Sequence, residues 1–438
     1  MKIVQISPGS GDNFYCENCL RDAALVKATR QLGHDVLMVP LYLPFQADKT
    51  EQVSNAPIFF GGVNVFLQQK LALFRKTPRW VDKMFDSRRL LEWAGRKAGM
   101  TSAKDLAETT ISMLEGEHGH QVKELDRLVD WLLETEHNPG VVCLSNILLG
   151  GLARRIKERL KVPVVCLLQD EDGFLDGLEG SHAEQAWEIV RRRAKDVDGF
   201  IAVSTYFART MQERLAVDSS RMHVVHMGID FDAYTPAASA PTVPTIGFLS
   251  RMCPERGLDT LIDAFILLKK TDGLGSAKLR ISGGRSQADE PFIEGLKSKV
   301  ASAGLQDDVE FLGAFDGAAK LDFLRSLSVL AVPEKGPVAY GLYVLESLAM
   351  GVPVVEPAIG CFPETIEMAG GGVLYEPNTA EQLAEVMAPL LRDSAEARKL
   401  GAAGREGMSK TFRIEHAAAR MIEVCEHIAQ ESKRGENG

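Results

Sequence analysis

Nowhere in the 438 residues does an apolar run approach the length a membrane-spanning helix requires, about 18 residues. An excess of basic residues is missing too, and the net charge of −10 argues against general nucleic-acid binding. The seven cysteines form no regular framework, which argues against a disulfide scaffold and suits a reducing compartment. Cys16 and Cys19 make a lone Cys-x-x-Cys with no second pair at a matching spacing. Such a pair cannot complete a four-ligand zinc site, and ordinary loop thiols are the simpler reading. Met1 leads straight into the strand-like run 2–6, which lacks the form of a signal peptide. Short repeats and low-complexity segments are absent. These absences lead to the expectation of a cytoplasmic chain without a resident metal.

What is present is alternation. Strand-like runs at 3–7, 35–41, 64–67, 141–145, 163–168, 199–204 and 223–227 alternate with helix-like runs. A proline-rich spacer at 236–244 comes next, and a second series begins with runs at 245–250, 278–282, 309–312, 327–332, 352–355 and 372–374. This order favours α/β architecture with parallel sheets, and the length suits two domains. We expect a first Rossmann-like domain over 1–236, a second over 245–410 and a helical tail over 411–438. A hinge is expected near 236–244.

Within the first domain, Gly9 and Gly11 follow the first strand, where the lack of a Cβ lets backbone approach a ligand. Residues 68–100 carry nine lysines and arginines against three acids, interleaved with Phe74, Trp80, Phe85 and Trp93. Two readings stay open: a surface for anionic lipid or an anionic acceptor, and a solvated helical insertion whose aromatics dock on the domain. Asp170, Glu171 and Asp172 stand at the carboxyl end of a strand-like run. They offer a base or a hydroxyl acceptor, and equally the acidic start of a helix; among the three, Asp170 is the expected base.

In the second domain, a strand pattern ends at Pro333, a Gly- and Pro-rich loop comes after it, and a helix pattern runs from near Tyr340 to Gly351. A helix N-terminus beyond the carboxyl ends of parallel strands favours an anion such as phosphate. Tyr340-Gly341-Leu342 followed by Leu345-Glu346-Ser347-Leu348-Ala349 resembles the donor-site signature of GT-B glycosyltransferases of the family 4 type, retaining enzymes that use nucleotide sugars. Phe248-Leu249-Ser250-Arg251 with Glu255-Arg256-Gly257 resembles that family's diphosphate clamp. The resemblance implies two Rossmann-like domains facing a central cleft, with the C-terminal helix crossing back to the first.

It further implies that Arg251 and Arg256 stabilise the departing diphosphate without a metal, although two such arginines could also be surface ion pairs. Glu346 matches the glutamate that accepts the donor ribose. The amides of Tyr340, Gly341 and Leu342 face the phosphates and sugar, Gly11 lies in the glycine loop, and Gly283 and Leu312 lie in nucleotide-facing loops. Gln169 stands where the family often has histidine; it can bond a sugar hydroxyl but cannot titrate. Where the family pattern places a sugar-binding glutamate, eight positions before Glu346, this chain has Val338. Glu334 is one candidate replacement, and Lys335 could add a charge. The implied function is hexosyl transfer from a nucleoside-diphosphate sugar, UDP or GDP, to a sugar, lipid or small-molecule acceptor. The alternative is a donor-binding pseudoenzyme or regulatory partner with a degenerate site.

Overall fold

The structure is a computed structural model and describes residues 1–8, 17–41, 59–60, 65, 68–69, 103–134, 138–313 and 317–436. Gly9, Gly11, Cys16 and the basic stretch 70–100 lie outside the described residues.

Two compact units emerge, one comprising Met1–His226 with Glu415–Gly438 and the other Met227–Ile414. In the first, strands β1 (Lys2–Ser7), β2 (Asp35–Pro40), β3 (Val141–Leu144), β4 (Val164–Leu168), β5 (Gly199–Ala202) and β6 (Met222–Val224) form a sheet ordered β2-β1-β3-β4-β5-β6. In the second, β7 (Thr245–Leu249), β8 (Lys278–Ser282), β9 (Val309–Phe311), β10 (Val329–Ala331), β11 (Val354–Pro357) and β12 (Gly372–Tyr375) are ordered β12-β11-β10-β7-β8-β9. Every strand pair is parallel. Strands covered on both faces read as continuous apolar runs, and β4, Val-Val-Cys-Leu-Leu, is buried at every position.

Strand order reverses between β1 and β3 in the first sheet and between β7 and β10 in the second. Crevices at such switch points, beyond the carboxyl ends of the strands, are where open α/β sheets bind ligands. The helices that supply or support groups at these crevices are α1 (Glu17–Gln31), α2 (Glu171–Asp176), α3 (Leu258–Lys269), α4 (Gly317–Arg325), α5 (Leu342–Ala349) and α6 (Ser394–Thr411), and the chain closes with α7 (Ile414–Glu436).

Two details differ from the sequence reading. Val65, Gln68 and Gln69 are helical where a strand over 64–67 was expected. The chain also enters the second unit at Met227, ahead of the 236–244 spacer, because Met227, Ile229, Phe231 and Tyr234 are buried in the second unit's core.

The last helix belongs to the first unit, as the resemblance implies. The side chains of Ala418, Met421 and Cys425 are fully buried on one face of α7, with Ile422, Val424 and Ile428 beside them. Cys425 Sγ lies 3.7 Å from Cys143 Sγ on β3, and a Cβ at Gly199 on β5 would come within 2.4 Å of Ile428. Met421→Ala is therefore expected to lower the stability of the first unit by about 2–5 kcal/mol, read from its denaturant midpoint. An unchanged midpoint would mean that α7 does not complete that unit's core.

Candidate active site

In the second unit the switch point carries two arginines, each fixed by a carboxylate. Arg251 follows β7; its Nε and NH2 donate to Oδ2 and Oδ1 of Asp289 at 3.1 and 3.0 Å, a bidentate pairing. Ser286 donates to the same carboxylate from its backbone N–H and its hydroxyl, both at 2.7 Å. Burial opposes the charge of Asp289, but the bonds from Arg251 and Ser286 prevail and hold its carboxyl below the usual range. The Arg251 side chain is 57% exposed, so the guanidinium is anchored yet open to solvent.

Arg256 ends the turn Pro254–Arg256, and its NH1 donates to Glu334 Oε1 at 2.8 Å. Glu334 is buried just past β10 and also accepts the Tyr343 hydroxyl at 3.0 Å. Asn378 Nδ2 donates to the Glu334 backbone carbonyl at 2.8 Å. Glu356 on β11 is fully buried; desolvation first, and then the charge of Glu334, push its carboxyl well above the usual range. Glycine is required where the loops cross this site: a Cβ on Gly257 (φ +68°) would lie 1.9 Å from the Pro333 carbonyl oxygen, and one on Gly283 (φ +151°) 1.7 Å from that of Ser250.

The remaining expected donor residues gather in the same unit. Leu312 donates its N–H to the Ile281 carbonyl at 2.8 Å, next to the loop of Gly283. Tyr340 is half-buried, Gly341 is buried and Leu342 opens α5. Glu346 is buried in the second turn of that helix and is bonded by Tyr234 and Lys320. Val338 packs into the apolar core. Glu334 Oε1 accepts from both Arg256 and Tyr343, and Lys335 reaches Asp259 at 2.7 Å.

In the first unit, polar groups converge beyond the carboxyl ends of β3 and β4. Gln169 is fully buried; its Nε2 donates to Asp22 Oδ1 on α1 at 3.0 Å and to the Ser145 carbonyl at 2.6 Å. The Ser145 hydroxyl donates to the other oxygen of Asp22. Desolvation raises the Asp22 carboxyl pKa against the lowering effect of Arg21 and these hydrogen bonds. Among the described residues, Arg21 Nε and NH1, Ser7 Oγ and Asn146 Oδ1 are buried without a hydrogen-bond partner.

Asp170, the expected base, is exposed and adopts a left-handed backbone conformation (φ +78°, ψ +22°) just before α2. The turn is folded by Glu171, whose two oxygens accept the N–H groups of Ile147 (3.2 Å) and Gln169 (2.5 Å). Burial pushes the Glu171 carboxyl up to about 7 against those two bonds. Thus the buried titrating acid of the trio is Glu171, which the sequence reading passed over. Asp22 was missed as well, although it falls on the helical face of Leu25, Val26 and Thr29, which are all buried. No spacing signal ties Asp289, Tyr234 or Lys320 to their partners. Among the described residues no group of three or more His, Cys, Asp or Glu side chains is arranged to hold a metal ion.

Against this geometry, the family model "Glycosyl transferases group 1" matches residues 235–407, and the model "Glycosyl transferase 4-like domain" matches residues 23–228. A GDP-mannose-dependent α-(1-6)-phosphatidylinositol monomannoside mannosyltransferase of Mycobacterium tuberculosis is 27% identical over 254 residues, 54% of this chain and 64% of that protein. A D-inositol 3-phosphate glycosyltransferase of Xylanimonas cellulosilytica is 29% identical over 252 residues, 54% of this chain and 58% of that protein. The chain thus spans less than two thirds of the length of these curated relatives. Among solved structures, sucrose-phosphate synthase from Thermosynechococcus elongatus superposes with a TM-score of 0.69 at 18% identity, covering 98% of each chain. Anabaena HepE in complex with UDP and glucose gives 0.67 at 17%, covering 97% of this chain and 98% of that one. At that identity these structures speak to the fold, which is GT-B.

The Glu171 pKa sets a pH dependence. An acid that titrates near 7 when folded and near 4.5 otherwise stabilises the fold most below pH 4.5, and that contribution is lost as pH rises through 7. Thermal melts between pH 4.5 and 8.5 are expected to show wild type losing up to about 3 kcal/mol that Glu171→Gln does not lose. Parallel pH profiles for the two proteins would place the Glu171 pKa in the ordinary range.

Proposed function

Since the chain belongs to the glycosyl transferases of group 1, its two halves matching the two models of that type, we propose that it moves a hexosyl unit from a nucleoside-diphosphate sugar to a hydroxyl acceptor. The observation that carries this reading is the pair of carboxylate-anchored arginines at the second sheet's switch point. A diphosphate leaving group gains negative charge as the glycosidic bond breaks. Cations already fixed in place stabilise that charge without reorganising at the moment of reaction.

In this reading Arg251 and Arg256 hold the diphosphate, with the amides of Tyr340, Gly341 and Leu342 beside it. Glu346 accepts the ribose hydroxyls, and the loops of Gly283 and Leu312 face the base. Gly11 serves the donor, and Gln169 and Asp170 serve the acceptor side, where Asn146, Ser7 and Arg21 have buried polar atoms unmatched among the described residues. Transfer proceeds with retention: the acceptor attacks the face from which the diphosphate departs, and the leaving phosphate takes the acceptor proton. Metal is not essential, because the two arginines supply the countercharge. The donor is a UDP or GDP sugar and the acceptor a sugar, lipid or small molecule.

No helix among the described residues is long and apolar enough to cross a membrane. The buried, unpaired thiols of Cys143, Cys166, Cys253, Cys361 and Cys425 support a reducing, cytoplasmic setting. Peripheral contact with the membrane through 68–100 is part of the proposal.

A second reading, a donor-binding partner without turnover, is favoured by one observation: position 338, where the family pattern has a carboxylate, holds a valine packed in the core. Calorimetry with UDP, GDP and ADP and their hexose conjugates separates the two. One nucleotide sugar is expected to bind, with affinity at least about tenfold weaker in Arg251→Ala and unaffected by a chelator. Slow hydrolysis of that donor supports transfer, and binding without any turnover supports the second reading. Proton NMR of the product anomer tests stereochemistry, where an inverted anomer would discard the retaining route.

A further inference from the structure

Glu346 is 4% exposed, and its two oxygens are treated unequally. Oε1 accepts the Tyr234 hydroxyl at 2.7 Å and Lys320 Nζ at 2.5 Å. Oε2 accepts no hydrogen bond among the described residues and is not among the buried atoms that lack a partner. The two donors come from separate parts of the unit, Lys320 from α4 and Tyr234 from the stretch ahead of β7. Tyr234 is itself anchored, since Arg405 on α6 donates to its carbonyl at 2.7 Å.

A carboxylate gripped at one oxygen by two independent donors cannot turn about its terminal bond without breaking both contacts. Its second oxygen is thereby held in one direction. Lys320, whose side chain is 16% exposed, also compensates the charge of a carboxylate that burial alone would disfavour. From this geometry we infer that Lys320 and Tyr234 are positioning residues that aim Glu346 Oε2 at the donor ribose, and that the three together make the site selective for a ribonucleotide. The inference rests on the reading that Glu346 faces the ribose. A hydroxyl bonded to a correctly aimed carboxylate adds affinity that a deoxy ligand lacks, because Oε2 is then left without that hydrogen bond.

The opposite relation is physically distinct. If Lys320 competed with the ribose for Glu346, its removal would tighten ribonucleotide binding.

The test compares UDP and GDP with their 2′,3′-dideoxy analogues by calorimetry in wild type, Lys320→Met, Lys320→Arg, Tyr234→Phe and Arg251→Ala, with melting curves on each. Wild type is expected to prefer the ribonucleotide by about 10- to 100-fold, the worth of hydrogen bonds to a charged group. In Lys320→Met and Tyr234→Phe that preference shrinks to a few-fold, while affinity for the dideoxy ligand is kept. Lys320→Arg restores most of the preference. Arg251→Ala weakens both ligands alike and keeps the ratio. Tyr234→Phe removes a single oxygen, so it keeps the test decisive should Lys320→Met fail to fold. An unchanged ratio in Lys320→Met and Tyr234→Phe, or tighter ribonucleotide binding in either, overturns the inference. A wild type that binds nucleotide with no ribose preference removes the assignment of Glu346 and leaves the glycosyltransferase reading standing. A wild type that binds no nucleotide removes both.

Discussion

The ion pair between Arg256 and Glu334 ties together what matters in the second unit. Glu334 sits just past β10 with its side chain 2% exposed, and a carboxylate withdrawn from water requires compensation. The partner arrives from the far side of the switch point, in the turn that succeeds β7. That turn can approach only because Gly257 has no Cβ to strike the Pro333 carbonyl, and the Lys335 N–H closes the gap by donating to the Glu255 carbonyl at 2.9 Å. Backbone crossing, glycine conformation and charge pairing are therefore one constraint. Its product is a cation held at the one place where an open parallel sheet offers a crevice.

The balance between burial and pairing of the crevice acids differs between the two units. In the second unit the acids at the crevice are matched: Asp289 by Arg251, Glu334 by Arg256, Glu346 by Lys320. Each pairing leaves an anchored cation or an oriented carboxylate, which suits a charged ligand. In the first unit Glu171 is held by backbone N–H groups, and Asp22 by Arg21 with Ser145 and Gln169, yet burial outweighs these partners and both carboxyls are pushed up. Of these, Glu171 is pushed up to about 7, where its protonation changes near neutral pH. Glu356 is the strongest case in the second unit, where burial and the charge of Glu334 push its carboxyl well above the usual range.

Sequence patterns reveal the alternation that builds both sheets, the helix after Gly341 and the arginines at the strand end, because each is a local matter of periodicity or of residue type at a strand terminus. They do not reveal partners. Arg251 and Arg256 can be read as cations, yet Asp289 and Glu334 lie 38 and 78 residues away, joined only by topology. Lys320 lies on an ordinary amphipathic helix, and nothing in the order of residues links it to Glu346. Asp22 is different: an acid on the buried face of a helix is visible in the spacing and was open to the same reading as the apolar residues around it. The turn at 169–171 is not visible in the residue types: Glu171 folds back onto the Gln169 N–H and leaves Asp170 outside.

Val338 gives the loss of a family carboxylate a physical meaning. Its side chain lies in the apolar core, and its backbone is clasped by the next loop: the Cys361 N–H donates to its carbonyl at 3.2 Å, and Gly360 approaches so closely that a Cβ would lie 2.6 Å from the Val338 N. A glutamate at that position would bring a charge to a packed apolar site with no cation assigned to it. Meanwhile a carboxylate four residues earlier stabilises Arg256. Transfer that depends on charge stabilisation at the leaving group keeps its main support under that change, whereas recognition of the sugar hydroxyls does not. On the proposed transferase reading, the departure from the family pattern bears first on sugar recognition.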